Sequence, residues 1–305
     1  KCINLRQAHE IVRLFRALVD HYDPRVLLIT ETNIPDRENL TYFGNGNEAH
    51  MVYNFPLPPL LLNTLWSGDC TALSRWIMSL PPAQDGTTYY NFIASHDGIG
   101  LRPVEELLGE EAQKALVKTA QKFGGHISSR VLNDKQLKPY EINISLFDAM
   151  SGTHKGKDEW GIECMLCAHA IMMSLEGVPA FYIHSLLGTE NDLEKLGRLG
   201  QSRAINRHNW VQEELEEKLA NSESHHSILF KKMAKLISIR KRQTAFHPNA
   251  VQFTLQLGPG LFGVWRHSAG RKQSIFSISN VAAKQVPLSL GQINLISVSN
   301  WADLI

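Results

Sequence analysis

The chain has 305 residues, 43% of them apolar, with 31 Lys plus Arg against 30 Asp plus Glu and a formal net charge of +1. That length holds one large domain with a small one beside it, or two domains, around an ordinary globular core. The balanced charge argues against nucleic acid as a partner, and no run of 18 apolar residues predicts a membrane span.

The chain opens without an initiator Met and inside what reads as a helix, so a processed or truncated start is expected. Lys1–Glu10 lacks the apolar core of a signal peptide. Ala8, Ile11, Val12, Phe15, Leu18 and Val19 carry helical spacing over 7–20, and Asp23-Pro24 closes that helix. Val26–Thr30 is a continuous apolar run, expected of a strand buried on both faces in a parallel sheet, and it stops at Glu31-Thr32-Asn33. Met51–Phe55 reads as a strand, and Leu57–Trp66 as a helix with Pro58-Pro59 in its first turn. Tyr89–Ala94 is a further strand, ending at Ser95-His96-Asp97.

A polar stretch over 102–160 predicts an amphipathic helix near 104–120 followed by loop. Residues 161–176 read as an apolar helix closed by Gly177. Cys164 and Cys167 lie in that helix; no second ligand pair stands at zinc spacing, so core packing is the better reading. With only Cys2 and Cys70 besides, a reducing cytoplasm is expected. Val178–Ile183 predicts a strand ending at His184-Ser185, and 226–242 a basic amphipathic helix. From Val251 to Ser299 the period changes to two, which predicts an antiparallel β module.

Strand–helix units with polar residues just after each strand suit a (β/α)8 barrel, whose active site gathers at the C-terminal strand ends. Only four units are present, so the fold is either another α/β fold or half of such a barrel. The strand ends offer Glu31, His96-Asp97 and His184. Carboxylates on separate strands suit glycoside chemistry, in which one acts as acid/base and another as nucleophile or charge stabiliser. The same residues read alone serve equally as helix caps or solvated loop positions.

Ser95-His96-Asp97-Gly98-Ile99-Gly100 resembles the seventh-strand motif of the sucrose-phosphorylase-like group of the α-amylase family. Ile29–Asn33 resembles its fifth-strand segment, Ala49–Leu60 its sixth, Tyr140–Asn143 its acceptor-side loop, and Tyr182–Gly188 with Arg203–Arg207 its eighth strand and following loop. These collinear matches cover nearly the whole chain. The resemblance implies strands 5–8 of a TIM barrel over 1–249, with an insertion near 102–160, then a small antiparallel β domain over 250–305 that is itself cut short. It implies retaining glucosyl transfer between a glucoside and phosphate, with inorganic phosphate as co-substrate, no cofactor and no metal. Glu31 would be the acid/base and Asp97 and His96 would bind glucose hydroxyls. Arg203, or its neighbour Arg207, would meet phosphate, and Asn33, Tyr140 and Glu141 would lie on the acceptor side. Two features depart from the sucrose phosphorylases themselves. The nucleophile's Arg-x-Asp-Ala segment, which would precede a helix like Ile3–Val19, is missing, so this chain alone is expected to be inactive and poorly soluble. Asn33 and Glu141 look more like glucosylglycerate or glucosylglycerol phosphorylases than sucrose phosphorylases, and an acidic Glu141 facing an anionic glycerate would need an intervening cation. A hydrolase or transglucosidase of the same superfamily, or a non-catalytic relative, are the competing readings.

Overall fold

The computed structural model describes residues 3–131, 136–289 and 301–305. Four strands, β1 (Ile29–Thr30), β2 (Met51–Tyr53), β3 (Thr88–Asn91) and a later one (Val178–Pro179), form one parallel sheet in chain order. Between them come β4 (Ile99–Gly100), β5 (His126–Val131) and β6 (Leu137–Asn143), which make an antiparallel sheet in the order β4-β6-β5. A small hairpin, β7 (Gly152–Thr153) with β8 (Gly156–Lys157), follows. The fourth parallel strand is thus β9. The last strands, β10 (Val251–Thr254), β11 (Leu261–His267) and β12 (Ser274–Asn280), are antiparallel.

Parallel strands need crossovers, and helices supply them here. The helix Leu57–Ser67 follows β2; Pro58 and Pro59 occupy its first turn, and its residues from Leu57 to Trp66 are all buried. Trp66 donates from Nε1 to Ala149 O at 2.7 Å, which satisfies the one polar atom of a buried indole. The helix Gly161–Ser174 is buried along Met165, Ala168, Ile171 and Met172, and Cys164 and Cys167 pack against the same core. The β10–β12 module is tied to the rest by Arg266, wholly buried, whose Nη1 donates to Ser174 O and Nη2 to Ala250 O. Burial pulls that guanidinium down to about 10.

Several sequence expectations need correction. The run Val26–Thr30 is paired only at Ile29 and Thr30, on one side, and Val26, Leu27 and Ile29 are exposed rather than doubly buried. The segment after 122 is no loop but the β5–β6 hairpin, with a bulge between Ser128 and Ser129. The helix expected near 104–120 begins at Glu110, because Pro103 sits in a 3-10 turn and Gly109 caps the helix. The strand expected over 178–183 ends at Pro179, and His184 lies in a short helix, Ile183–Leu186. The alternation expected over 290–299, and Cys2, fall outside the described residues.

The first helix, Arg6–Tyr22, has an unusual attachment. Its apolar strip of Ile11, Leu14, Phe15 and Leu18 faces outward, each residue more than half exposed. Its other side pins a buried carboxylate: His9 Nδ1 lies 2.6 Å from Glu48 Oε2, Arg13 Nη2 2.9 Å from Oε1, and Arg16 donates to Glu48 O. His9 also stacks on Tyr42 at 4.4 Å.

Candidate active site

The sheet delivers chemistry at the C-terminal ends of its strands. Glu31 follows β1 directly and is exposed. Beside it an aromatic wall rises from the ends of β2 and β3: Tyr53 packs on Tyr90 at 4.5 Å and on Phe92 at 5.1 Å, and Phe55 meets Phe92 edge-on. Desolvation, then the neighbouring Tyr90 and Glu31, push the Tyr53 hydroxyl up to about 12, so it stays a neutral donor at working pH.

After β3, Ala180 N donates to Asn91 O, and the chain passes into the loop of Ser95, His96 and Asp97. Asp97 N donates to Ser95 Oγ, and Asn206 Nδ2 donates to the carbonyls of Ser95 and Asp97, both at 3.1 Å. Arg207 donates from Nε to His96 O at 2.6 Å. This bracing fixes the loop from the opposite segment. Asn206 lies inside the Arg203–Arg207 segment, where local sequence marks no role for it; only the fold shows that it clamps the backbone under Asp97.

An ion-pair chain runs across the loop. Arg203 Nη1 donates to Asp97 Oδ1 at 2.6 Å, and Arg207 Nη2 to the same oxygen at 3.0 Å. Arg203 also grips Glu141 with two bonds, Nε to Oε2 at 3.2 Å and Nη2 to Oε1 at 2.9 Å. Gly98 N donates to Glu141 Oε1 at 3.1 Å. Glu141 is 3% exposed, whereas the side chains of Arg203 and Arg207 are 40% and 38% exposed. Hydrogen bonding to Glu141 is the main cause that raises the Arg203 pKa.

The two glycines of the Gly98-Ile99-Gly100 motif have a spatial reason. A Cβ on Gly98 would lie 2.5 Å from Glu141 Cγ, and one on Gly100 would lie 2.6 Å from Asn33 Nδ2. Both glycines therefore make room for the two side chains that the sequence marks as distinctive. Pairing of Gly100 with Glu141 across β4 and β6 sets this register. Asn33 Oδ1 is buried and has no hydrogen-bond partner among the described residues.

The structure thus gathers Asp97, His96, Glu141 and Arg203 into one cluster, with Asn33 against Gly100 and Tyr140 next to Glu141 in β6. Glu31 stands beside the aromatic wall. His184 is not bonded to this cluster; its Nδ1 pairs with Thr189 Oγ1 at 3.1 Å. Burial pushes the Cys164 and Cys167 thiols up to about 12 and about 11, the opposite of a reactive thiolate. Among the described residues no group of three or more His, Cys, Asp and Glu side chains could hold a metal ion, and no helix is long and apolar enough to cross a membrane.

No protein-family model matches the chain. Solved structures of the α-amylase family share its fold. The sucrose 6F-phosphate phosphorylase of Thermoanaerobacter thermosaccharolyticum superposes with a TM-score of 0.72 at 21% identity, over 88% of this chain and 51% of that one. An α-amylase from H.orenii gives 0.53 at 11% identity, over 90% and 47%. Among curated proteins, the glucosylglycerate phosphorylase of Allomeiothermus silvanus is 42% identical over 82% of this chain and 45% of its own length. That of Escherichia coli is 39% identical over 81% and 44%, and the sucrose phosphorylase of Agrobacterium vitis 32% over 66% and 39%. The chain spans about half the length of the curated relatives it matches. It belongs to the sucrose-phosphorylase-like group of the α-amylase family.

Proposed function

We propose that this chain carries the acid/base side of a retaining α-glucoside phosphorylase, acting on an acceptor such as glycerate. The observation that carries the reading is the cluster of Asp97, Arg203, Arg207 and Glu141 at the end of β3, beside the exposed Glu31 at the end of β1. In the first half-reaction Glu31, as the acid, gives its proton to the leaving oxygen while a nucleophilic carboxylate from outside these residues takes the anomeric carbon. In the second, phosphate attacks the glucosyl–enzyme bond and Glu31, now a carboxylate, takes the phosphate proton. Asp97 and His96 hold glucose hydroxyls, and Asn33, Tyr140 and Glu141 line the acceptor side.

The same reading assigns the four parallel strands to the second half of a (β/α)8 barrel over 1–249, with 250–305 as a β domain. Two observations support it. The free edge of β1 pairs with nothing among the described residues, and the apolar strip of the first helix lies beside it in sequence with no cover. Both are surfaces that a preceding strand and helix would bury. The chain alone is then inactive, and the complete enzyme works in the cytoplasm with phosphate as its co-substrate.

The test is phosphate release from α-D-glucose 1-phosphate by the protein extended to the length of its relatives, with D-glycerate, glycerol and fructose as acceptors. Acceptor-dependent release that falls by roughly 10²–10⁴-fold in Glu31→Gln is expected. Hydrolysis without phosphate, and no acceptor dependence, would replace this reading with a hydrolase.

A further inference from the structure

We infer that Glu141 is a positioning residue and not a substrate ligand: it sets Arg203 so that the guanidinium faces the acceptor side as a fork for an oxyanion, a carboxylate or a phosphate. The inference deepens the phosphorylase reading and rests on it. It turns on where each charge points. Glu141 is 3% exposed, with Oε1 shared between Gly98 N and Arg203 Nη2 and with Oε2 on Arg203 Nε. A carboxylate so enclosed presents neither oxygen to a small molecule. The cation beside it is the reachable group, since the Arg203 side chain is 40% exposed.

Donor counting leads to the same place. A guanidinium has five N–H donors in a fixed plane. Glu141 takes the Nε–H and one Nη2–H, and Asp97 takes one Nη1–H. One N–H on each Nη is left over among the described contacts, the number that a bidentate carboxylate or phosphate uses. The plane is fixed because its long edge is locked onto a side chain that cannot itself turn. Glu141 is wedged against Gly98, where even one added carbon would lie 2.5 Å from its Cγ. The charge problem of an acidic residue on the acceptor side is resolved in the same stroke. Glu141 is neutralised by Arg203 behind the surface, and an anionic acceptor meets the arginine.

Without the carboxylate at 141, Arg203 has Asp97 as its remaining acidic partner and turns a second donor onto it, which consumes the fork. The experiment compares the protein extended to the length of its relatives with its Glu141→Gln, Gly98→Ala and Arg203→Lys variants. Calorimetric binding of D-glycerate, inorganic phosphate and glycerol is measured, with the melting temperature alongside. Glu141→Gln and Gly98→Ala are expected to weaken oxyanion binding about tenfold and to leave glycerol binding unchanged. Arg203→Lys, which keeps the charge and loses the plane, is expected to do at least as much. Weakening confined to glycerate assigns the fork to the acceptor carboxylate, and weakening confined to phosphate assigns it to the incoming phosphate. Unchanged oxyanion affinity in Glu141→Gln overturns the inference, as does an equal loss for glycerate and glycerol, which marks a merely structural pair. Failure here is separable from failure of the phosphorylase reading. Turnover with unaltered acceptor choice in Glu141→Gln defeats only the positioning role. Absence of turnover with every acceptor in the protein extended to the length of its relatives defeats the phosphorylase reading, while binding still reports on Arg203.

Discussion

Gly177→Ala is the sharpest stability test of the sheet that presents the site. Gly177 sits just before β9 with φ of +119°, a region that side-chain-bearing residues rarely enter. A Cβ there would lie 2.5 Å from Tyr89 O and 3.0 Å from Asn91 Nδ2. Neither neighbour can yield. Tyr89 belongs to β3, whose register with β9 pairs Tyr90 with Val178, and Asn91 Nδ2 is bonded to Glu176 O at 2.8 Å. Backbone strain at such a φ costs about 1–3 kcal/mol, and forcing a carbon against a fixed carbonyl adds about 1–3 kcal/mol more. The sum is about 4 kcal/mol, which lowers the melting temperature by on the order of 10 °C in a protein of this size. Urea unfolding followed by circular dichroism measures it. A loss under about 1 kcal/mol would refute the reasoning, because it would mean that β3 and β9 separate freely. Since β3 leads into the Asp97 loop, turnover by the protein extended to the length of its relatives is expected to fall with stability if the proposed function holds.

Other outcomes follow from particular contacts. Gly100→Ala meets only the end of the Asn33 side chain, which can swing away; it should cost roughly 1 kcal/mol or less in unfolding and, under the proposed function, raise the acceptor KM of the extended protein several-fold, about the loss of one side-chain hydrogen bond. Trp66→Phe removes the donor to Ala149 O from a buried site; a loss of about 2 kcal/mol in denaturant unfolding is expected. His169 is fully enclosed, with Nδ1–H donating to Met165 O, and burial holds its pKa down to about 4. Its folded pKa lies below the unfolded value near 6.5, so the unfolded chain binds the extra proton. Its share of stability is complete above about pH 6.5 and is lost as pH falls toward 4, by about 3 kcal/mol. Unfolding midpoints at pH 7 and 4.5 should therefore diverge less in His169→Gln than in the native protein.

The buried elements were legible because burial leaves continuous apolar runs. Leu57–Trp66 and the helix from Gly161 could be read directly, and so could the strand at Tyr89. The β5–β6 hairpin could not: both strands are half exposed, Pro139 interrupts one, and a bulge breaks the alternation that marks a strand. The outward strip of the first helix was equally hidden. Periodicity shows that a helix has an apolar face, but it carries no information about which side the rest of the chain occupies. The polar residues that settle the matter, His9 and Arg13, pair with Glu48 more than thirty positions away. At the site, residue types and motif gave Asp97, Glu141 and Arg203 singly. That Arg203 joins the other two is a long-range fact, spanning 62 and 106 positions, and no local pattern encodes it.

The side chains that close off each glycine, Asn33 at Gly100 and both Glu141 and the buried Asn143 at Gly98, where Asn143 Oδ1 would lie 2.7 Å from an added Cβ, constrain how the acceptor side can be altered. Position 98 cannot gain a carbon while 141 holds Glu, and position 100 cannot while 33 holds Asn, without a displacement. Substitutions at 98 and 141, or at 100 and 33, are therefore not independent. At position 100 the Asn33 side chain can swing aside at small cost, whereas at position 98 trimming Glu141 alone leaves Asn143 in the way. Variants aimed at a new acceptor are best drawn as coupled sets, 33 with 100 and 141 and 143 with 98, with the larger residues reduced before the glycine is filled.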